Sequence, residues 1–415
     1  MGMLNRVSEF VHANSEKLYL LFFSLYLISV TVNTTTFYVY YPHRIAVLVQ
    51  LMTVTVMLAK IGLFDQLTTK ETIVEVGLLS LVTIVALISS AHYLLVTVLL
   101  MMGARNVSFR RIVKTYLIVV GSILLLALIA SQLGWIKDIT FYTEDGIRRS
   151  FGVVYTTDFA AHIFYLGCAY LYLKARKFRL LDLVPVLLGL FVIYFYTRTM
   201  TDTIAMIVLL IGFLCYVYRR QLVHLTFIRV GLRYNFLALP IVSALIIGIS
   251  TVFDYNDKIL RLLNDFLSNR LVLGHNGLFA YGVKLFGQPW IPVNGWGGDR
   301  ATTFTNGMGE VTYFFLDSSF LNMLISYGLL LTIIIVVGIS GFLYKRTVEN
   351  DYLLPVIMLA VAISSAFDQH FLEVTYNVFI LACFANLPRY HTQVGPSFKQ
   401  PVVRERLAEG GRQRE

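Results

Sequence analysis

The stretch RRSFGVVYTTDFAAHIFYLGCAYLYLKARKFR, from Arg148 to Arg179, sets two arginines, a long apolar run and a cationic cluster in one line. Its middle, 153–173, has the roughly 20 residues that a helix needs to cross the hydrocarbon layer. The apolar character is continuous rather than alternating, which predicts a helix and not a barrel strand. Asp158 and His162 interrupt it one turn apart. The four cations of 174–179 follow at its far end. One membrane passage with cations at both ends is thus the unit from which the rest is read.

The same unit recurs. The 415 residues are 57% hydrophobic and 14% charged, with a mean hydropathy of +0.71, so the apolar surface exceeds what a soluble chain could hide. The fold class expected is all-α, a polytopic integral membrane protein of about twelve transmembrane helices. Their limits are near 18–34, 44–62, 72–89, 91–104, 113–134, 153–173, 181–197, 199–218, 235–253, 318–343, 352–367 and 371–387. The first run reads as a retained span and not a cleaved signal peptide. Residues 1–390 form a single transmembrane domain, and 391–415 read as a basic disordered tail.

Orientation follows from the short loops. Arg105, Arg110, Arg111 and Lys114 follow span four, and 174–179 follow span six. Arg219, Arg220, Arg229 and Arg233 follow span eight, and Lys345 and Arg346 follow span ten. All fall on one side if the count is even, so both termini are expected in the cytoplasm. This rule accounts for the net charge of +10. Nucleic acid is excluded as a partner, because no soluble segment interleaves a basic stripe with aromatics. Cys168, Cys215 and Cys383 lie inside apolar runs and offer neither metal spacing nor a disulfide framework.

Two outer loops stand out, 135–152 and the long extracytoplasmic loop 254–317 between spans nine and ten. In the latter, Ile259, Leu260, Leu263, Phe266 and Leu267 recur at helical spacing, which predicts an amphipathic surface helix. A second helix is expected over 278–286, followed by the irregular GQPWIPVNGWGGDR. A loop of this length usually carries function.

Cations expected at the outer face are Arg148, Arg149, Arg198, Lys258, Arg261, Arg270, Lys284 and Arg300. Arg198 sits in YTRTMTDT, at the junction of two spans. It either pairs with Asp202, four residues on, or belongs to an anion site at the membrane boundary. A guanidinium fork suits phosphate, and a lipid-linked pyrophosphate lies at that depth. Arg148 and Arg149 are adjacent; on a helix they would diverge by about 100°. One is then expected at the phosphate, with Arg149 the choice, and the other at Glu144, Asp145 or headgroups. Asp158 and His162 either staple helices through a mutual hydrogen bond or, with Asp202, give intramembrane support to a site. His275 reads as a solvated loop histidine or a catalytic group. Glu310 and Asp317 flank VTYFFL. Asp317 caps span ten together with Ser318 and Ser319, or acts as a general base toward a sugar hydroxyl. No phosphate loop, nucleophile elbow or zinc signature occurs, and no cofactor is expected.

Four ordered segments carry a family resemblance: RRSFGVVYTTDFAA, YTRTMTDTIAMIVLL, SNRLVLGHNGLFAYGVKLFGQ and LDSSFLNMLISYGLL. Together they resemble the bacterial O-antigen ligase/polymerase family, including Wzy-type polysaccharide polymerases. Thr157-Asp158 stands where the family often has Pro-Asn. Asp317 stands where ligases usually carry histidine, which favours polymerase. Ser318 replaces the asparagine that would follow. The resemblance implies a GT-C-like membrane fold that transfers a growing glycan from undecaprenyl pyrophosphate to a lipid-linked repeat unit, without metal or nucleotide. Arg148 or Arg149, Arg198, Arg270 and Lys284 would hold the pyrophosphate. Asp317 would be the catalytic base, with His275 or Glu310 as substitutes. Membrane lipid, a flippase and a chain-length regulator are the implied partners, and the bacterial cytoplasmic membrane the place. A lipid-linked oligosaccharide flippase and a ligase-type glycan transferase are the alternative functions.

Overall fold

Apolar runs become helices where nothing interrupts their backbone ladder, and the polar residues between them decide where each one stops. The computed structural model describes residues 2–65, 67–143, 146–222, 224–289, 291–292 and 313–387. Glu310, Arg300, Glu144, Asp145 and the segment 391–415 lie outside them. In chain order the helices are α1 (Gly2–Asn33), α2 (His43–Leu63), α3 (Thr69–Ser89), α4 (Tyr93–Gly103) and α5 (Phe109–Gln132). A hairpin of β1 (Thr140–Thr143) and β2 (Gly146–Arg149) precedes α6 (Thr156–Lys174), α7 (Val184–Val192) and α8 (Met200–Val217). The short α9 (Arg219–Leu222) leads to α10 (Thr226–Tyr234) and α11 (Ala238–Thr251). The long loop carries α12 (Lys258–Phe266) and α13 (Arg270–Tyr281). The last helices are α14 (Ser319–Asn322), α15 (Leu329–Val348) and α16 (Leu353–Ser365).

Among the described residues eight stretches are long and apolar enough to cross a membrane. They are α1, α2, α3, α5, 180–197 around α7, α8, 226–251 through α10 and α11, and α15. The chain is therefore a multi-pass α-helical membrane protein. Of the expected twelve, spans four, six, eleven and twelve are not among these eight, and span ten starts later than expected. Spans four and eleven are shorter apolar helices, α4 and α16. Span six, α6, is enclosed by protein: Ala160, Ala161, Phe164, Tyr165, Cys168 and Ala169 are buried as it packs on α5, α7 and α8. Its small residues admit close neighbours, which explains how Asp158 and His162 are tolerated in it. Span ten starts at Leu329 and not at Ser318, because Gly328 breaks the helix with φ 92°. The expected span 371–387 is not an α-helix. It folds as two 3-10 turns, His370–Leu372 and Val378–Cys383, almost wholly buried. Its apolar composition reflects enclosure by protein, which is where irregular backbone is tolerated at membrane depth. Asn377 serves that backbone, donating to the Phe371 carbonyl at 2.9 Å and accepting from the Phe379 N–H at 3.2 Å.

The helix ends sort into two groups. At one end Lys60 of α2 donates to Asp65 and to the Arg105 carbonyl, while Arg105 pairs with Glu71 and Glu75 of α3. Glu16 of α1 accepts from the Ser108 N–H and pairs with Arg111. This is the basic end. At the other end the Thr34 carbonyl, after α1, accepts from the Val154 N–H, and Thr36 donates its N–H to Gly152. This is the hairpin end.

The hairpin pairs Thr140 with Arg149 and Phe141 with Arg148. It is the one sheet among the described residues. Residues 148 and 149 therefore sit on a strand, not on a helix as their spacing was read. In the long loop α12 forms as expected, capped by Asp257, whose carboxylate accepts from Ile259 and Leu260. Ile259, Leu262 and Phe266 remain exposed along it. The second loop helix starts earlier than expected, at Arg270, after Ser268 and Asn269 adopt positive φ. It stops at Gly282.

Candidate functional site

Three chain segments cross at the hairpin end. Arg270, the first residue of α13, donates its Nε to the Phe367 carbonyl at 2.7 Å and its Nη1 to the Leu267 carbonyl at 3.3 Å. Ser319 receives the Phe371 N–H on its hydroxyl, and both its N–H and its hydroxyl donate to the Asp368 carbonyl. The segments 267–270, 317–319 and 367–371 are thus tied together through backbone. Two glycines fix the approach. Gly287 and Gly328 meet back to back, and a Cβ on Gly328 would fall 2.2 Å from the Gly287 nitrogen. The strap 284–288 then bonds across the helix break: Leu329 to the Lys284 carbonyl, Leu330 to the Leu285 carbonyl, Gln288 to the Ser326 carbonyl.

This arrangement sets Asp317. Ser318, not Asp317, caps α14 by accepting from Leu321. The Asp317 carboxylate is left facing Arg270, with Nε to Oδ2 at 3.7 Å. Burial in the recess pushes its pKa above the ordinary value, and Arg270 opposes the rise. Its side chain still keeps 23% of its surface open, so the group is desolvated yet reachable.

Arg148 enters from β2. Its Nε donates to the Thr197 carbonyl at 2.7 Å, which docks the hairpin on the turn between α7 and α8. Burial holds its pKa below the usual guanidinium value, opposed by Tyr155 and Asp202, and Arg270 pushes in the same direction as burial. Tyr155, just before α6, lies within electrostatic range of Arg148, Asp317, Asp158 and Arg270. Tyr155 thus links Arg148 electrostatically to the Arg270–Asp317 pair in the part-buried recess around Asp317.

The other candidates divide. Arg149 points away from the recess. Its Nη2 meets Asp138 at 2.5 Å and Gln132 at 3.0 Å, and its guanidinium lies over Phe151. A strand sends neighbours to opposite faces, so Arg148, and not the expected Arg149, is the one turned toward Thr197 and Tyr155. Arg198 adopts a left-handed conformation, φ 52°, is exposed, and packs its guanidinium over Gly146. It makes no ion pair with Asp202 among the described residues. Asp202 is buried instead, and neither of its carboxylate oxygens has a hydrogen-bond partner among the described residues. His275 is turned to α11, where its Nδ1 meets the Ser250 carbonyl at 3.0 Å between Phe253 and Phe279. Lys284 contributes its carbonyl to the strap and leaves its side chain exposed. Neither joins the recess.

Asp158 and His162 do not bond to each other. His162 Nε2 lies 2.9 Å from the Thr34 hydroxyl, which itself donates to the Thr31 carbonyl. The imidazole is therefore the donor. Asp158 faces His370 Nε2 at 3.6 Å. His370 also lies 3.7 Å from Asp368 and 3.4 Å from Glu373. Tyr376 is sandwiched between His370, 3.6 Å away, and His162, 4.0 Å away. This buried base beneath the recess was missed in the sequence. Its signal was three ionisable groups within 368–373 opening an apolar run.

A cavity of about 260 Å³ at the same end is lined by Ser89, Ser90, Tyr93, Asn322, Ser326, Gln369 and several apolar groups including Leu316, the residue before Asp317. Tyr93 and Tyr327 share a hydrogen bond of 2.8 Å at its edge. Among the described residues no cluster of His, Cys, Asp or Glu could hold a metal.

No family model matches the chain, and no curated protein and no solved structure matches it.

Proposed function

We propose that the chain is a polysaccharide polymerase acting at the outer face of the bacterial cytoplasmic membrane, with both termini in the cytoplasm. It transfers a growing glycan from undecaprenyl pyrophosphate to a lipid-linked repeat unit. The observation that carries this reading is the pairing of Arg270 with Asp317 at 3.7 Å, with Arg148 and Tyr155 within electrostatic range. In this mechanism Asp317 takes the proton from an acceptor hydroxyl as its oxygen attacks the anomeric carbon. The carbon–oxygen bond to pyrophosphate breaks, and the electron pair leaves on a phosphate oxygen that the two guanidinium groups neutralise. The cavity lined by Ser89, Ser90, Asn322, Ser326 and Gln369, rich in hydroxyl and amide groups, suits the acceptor sugar. Arg198, exposed at the rim, meets the outer phosphate. The resemblance to O-antigen ligase/polymerase proteins implies a GT-C-like arrangement, and the multi-pass α-helical architecture is compatible with it.

The test uses purified protein in detergent with lipid-linked repeat units. Polymer is expected without any membrane gradient, which a flippase could not produce. Asp317→Asn is expected to lower the rate by roughly 10²–10⁴-fold. Arg270→Lys, which keeps the charge but loses the fork, is expected to fall at least about tenfold. Full-length polymer at normal rates from both variants would remove the assignment.

A further inference from the structure

At the basic end a cavity of about 480 Å³ opens among the first turn of α5, the end of α6 and the turns that lead into α7. Arg110, Lys174, Arg176, Lys177 and Arg179 line it, with Asp182 as the acid. Five positive charges against one negative leave a net +4. The Asp182 carboxylate is already engaged. It accepts from the Arg179 N–H at 2.8 Å and from the Tyr170 hydroxyl at 3.3 Å, and pairs with Lys174 at 2.8 Å. It thereby shapes the turn 174–182 and offers little repulsion to an incoming anion. Arg110 Nη1 is buried with no hydrogen-bond partner among the described residues. A buried guanidinium N–H without an acceptor is costly, and an anion held in the cavity that Arg110 lines would offset part of that cost through its charge.

A general excess of cations on one side of a membrane requires neither a concavity nor a buried N–H lacking an acceptor. The rim says which anion fits. Leu180 and Leu181, on the 3-10 turn Leu180–Leu183 that opens the 180–197 span, are 65% and 78% exposed. Apolar side chains therefore stand next to the cationic lining, as at the level where headgroups meet acyl chains. We propose that this cavity binds the phosphate-bearing headgroup of an anionic membrane lipid, with two phosphates preferred to one because the lining carries several cations. This site stands apart from the recess at the hairpin end and does not depend on glycan transfer.

Full-length protein in neutral detergent is titrated with cardiolipin, phosphatidylglycerol and phosphatidylcholine, and separately with inorganic pyrophosphate, and adducts are followed by native mass spectrometry. A saturable cardiolipin adduct is expected, tighter than that of phosphatidylglycerol, with none from phosphatidylcholine. Lys177→Gln with Arg179→Gln, both exposed, should weaken it by roughly tenfold or more while the protein stays folded. Arg110→Gln should weaken it further, and Arg229→Gln, an exposed cation on α10, should leave it unchanged. Equal binding of all three lipids, or a cardiolipin adduct that the double variant leaves unchanged, overturns the site. Saturable pyrophosphate binding without a lipid adduct assigns the cavity to a soluble phosphate compound and overturns the lipid occupant.

Discussion

A strand sends consecutive side chains to opposite faces, so Arg148 and Arg149 on β2 cannot both reach the recess. Arg148→Ala is expected to lower the transfer rate of the folded protein by roughly 10²–10³-fold, as for removal of one donor to a leaving oxyanion, and to lose about 1–3 kcal/mol with the hydrogen bond to Thr197. Arg149→Ala is expected to affect stability alone. It breaks a partly buried pair with Asp138 and lowers stability by about 1–2 kcal/mol, leaving turnover per folded molecule near normal. Initial rates beside thermal unfolding of each variant separate the two roles. Asp317 adds a pH argument. Burial raises its pKa and Arg270 lowers it, and only the ionised carboxylate can accept a proton. Activity should therefore rise with pH through the Asp317 pKa and level off above it. Arg270→Gln removes the stabilising charge, so the residual activity should show this acid limb displaced to higher pH. A pH profile that Asp317→Asn leaves unchanged in shape would exclude this carboxylate as the base.

The decisive joint between elements is the crossing of the strap 284–288 over the break between α14 and α15. Gly328 adopts φ 92° and ψ 163°, a region only glycine visits readily, and it touches Gly287 directly. Gly328→Ala is expected to lose about 3 kcal/mol or more, with a matching fall in midpoint temperature, and Gly287→Ala nearly as much. Gly338→Ala on α15 meets nothing within 4 Å and should be neutral or slightly stabilising. Thermal unfolding in detergent followed by size exclusion compares the three. The ordered motifs FGQ and SYGLL were legible in the sequence, yet nothing there said that their glycines touch. Periodicity likewise placed α12, where one face is apolar. It could not place α13, whose start depends on positive φ at Ser268 and Asn269. It could not show that residues 146–149 are a strand, because four residues of mixed polarity carry no readable period.

For the whole molecule, composition reports how much surface avoids water but not whether lipid or protein covers it. The run 371–387 is as apolar as a span, yet it is an enclosed irregular segment, and α6 is apolar because it is the centre of the bundle. For the same reason Asp368, His370 and Glu373 were passed over: a short polar gap between apolar runs reads as a loop unless the fold closes around it. Charge asymmetry, in contrast, concerns the ends of helices and is visible in sequence, and it leads to a prediction about the entire topology. The basic end gathers Lys60, Arg105, Arg110, Lys174 and Arg219, and the hairpin end gathers the recess. If the positive-inside rule sets the orientation, the hairpin end faces away from the cytoplasm. Tyr142, 81% exposed on β1, and Lys177, exposed after α6, lie at opposite ends. In intact cells a membrane-impermeant maleimide should label Tyr142→Cys, whereas Lys177→Cys should react only after permeabilisation. Cys168 is buried and inert, and Cys215 and Cys383 are half-buried within apolar surroundings, so a parent with both replaced by alanine gives a clean background. Labelling of Lys177→Cys alone in intact cells would invert the molecule. The recess would then open to the cytoplasm, and the transfer of a glycan at the outer face would lose its physical basis.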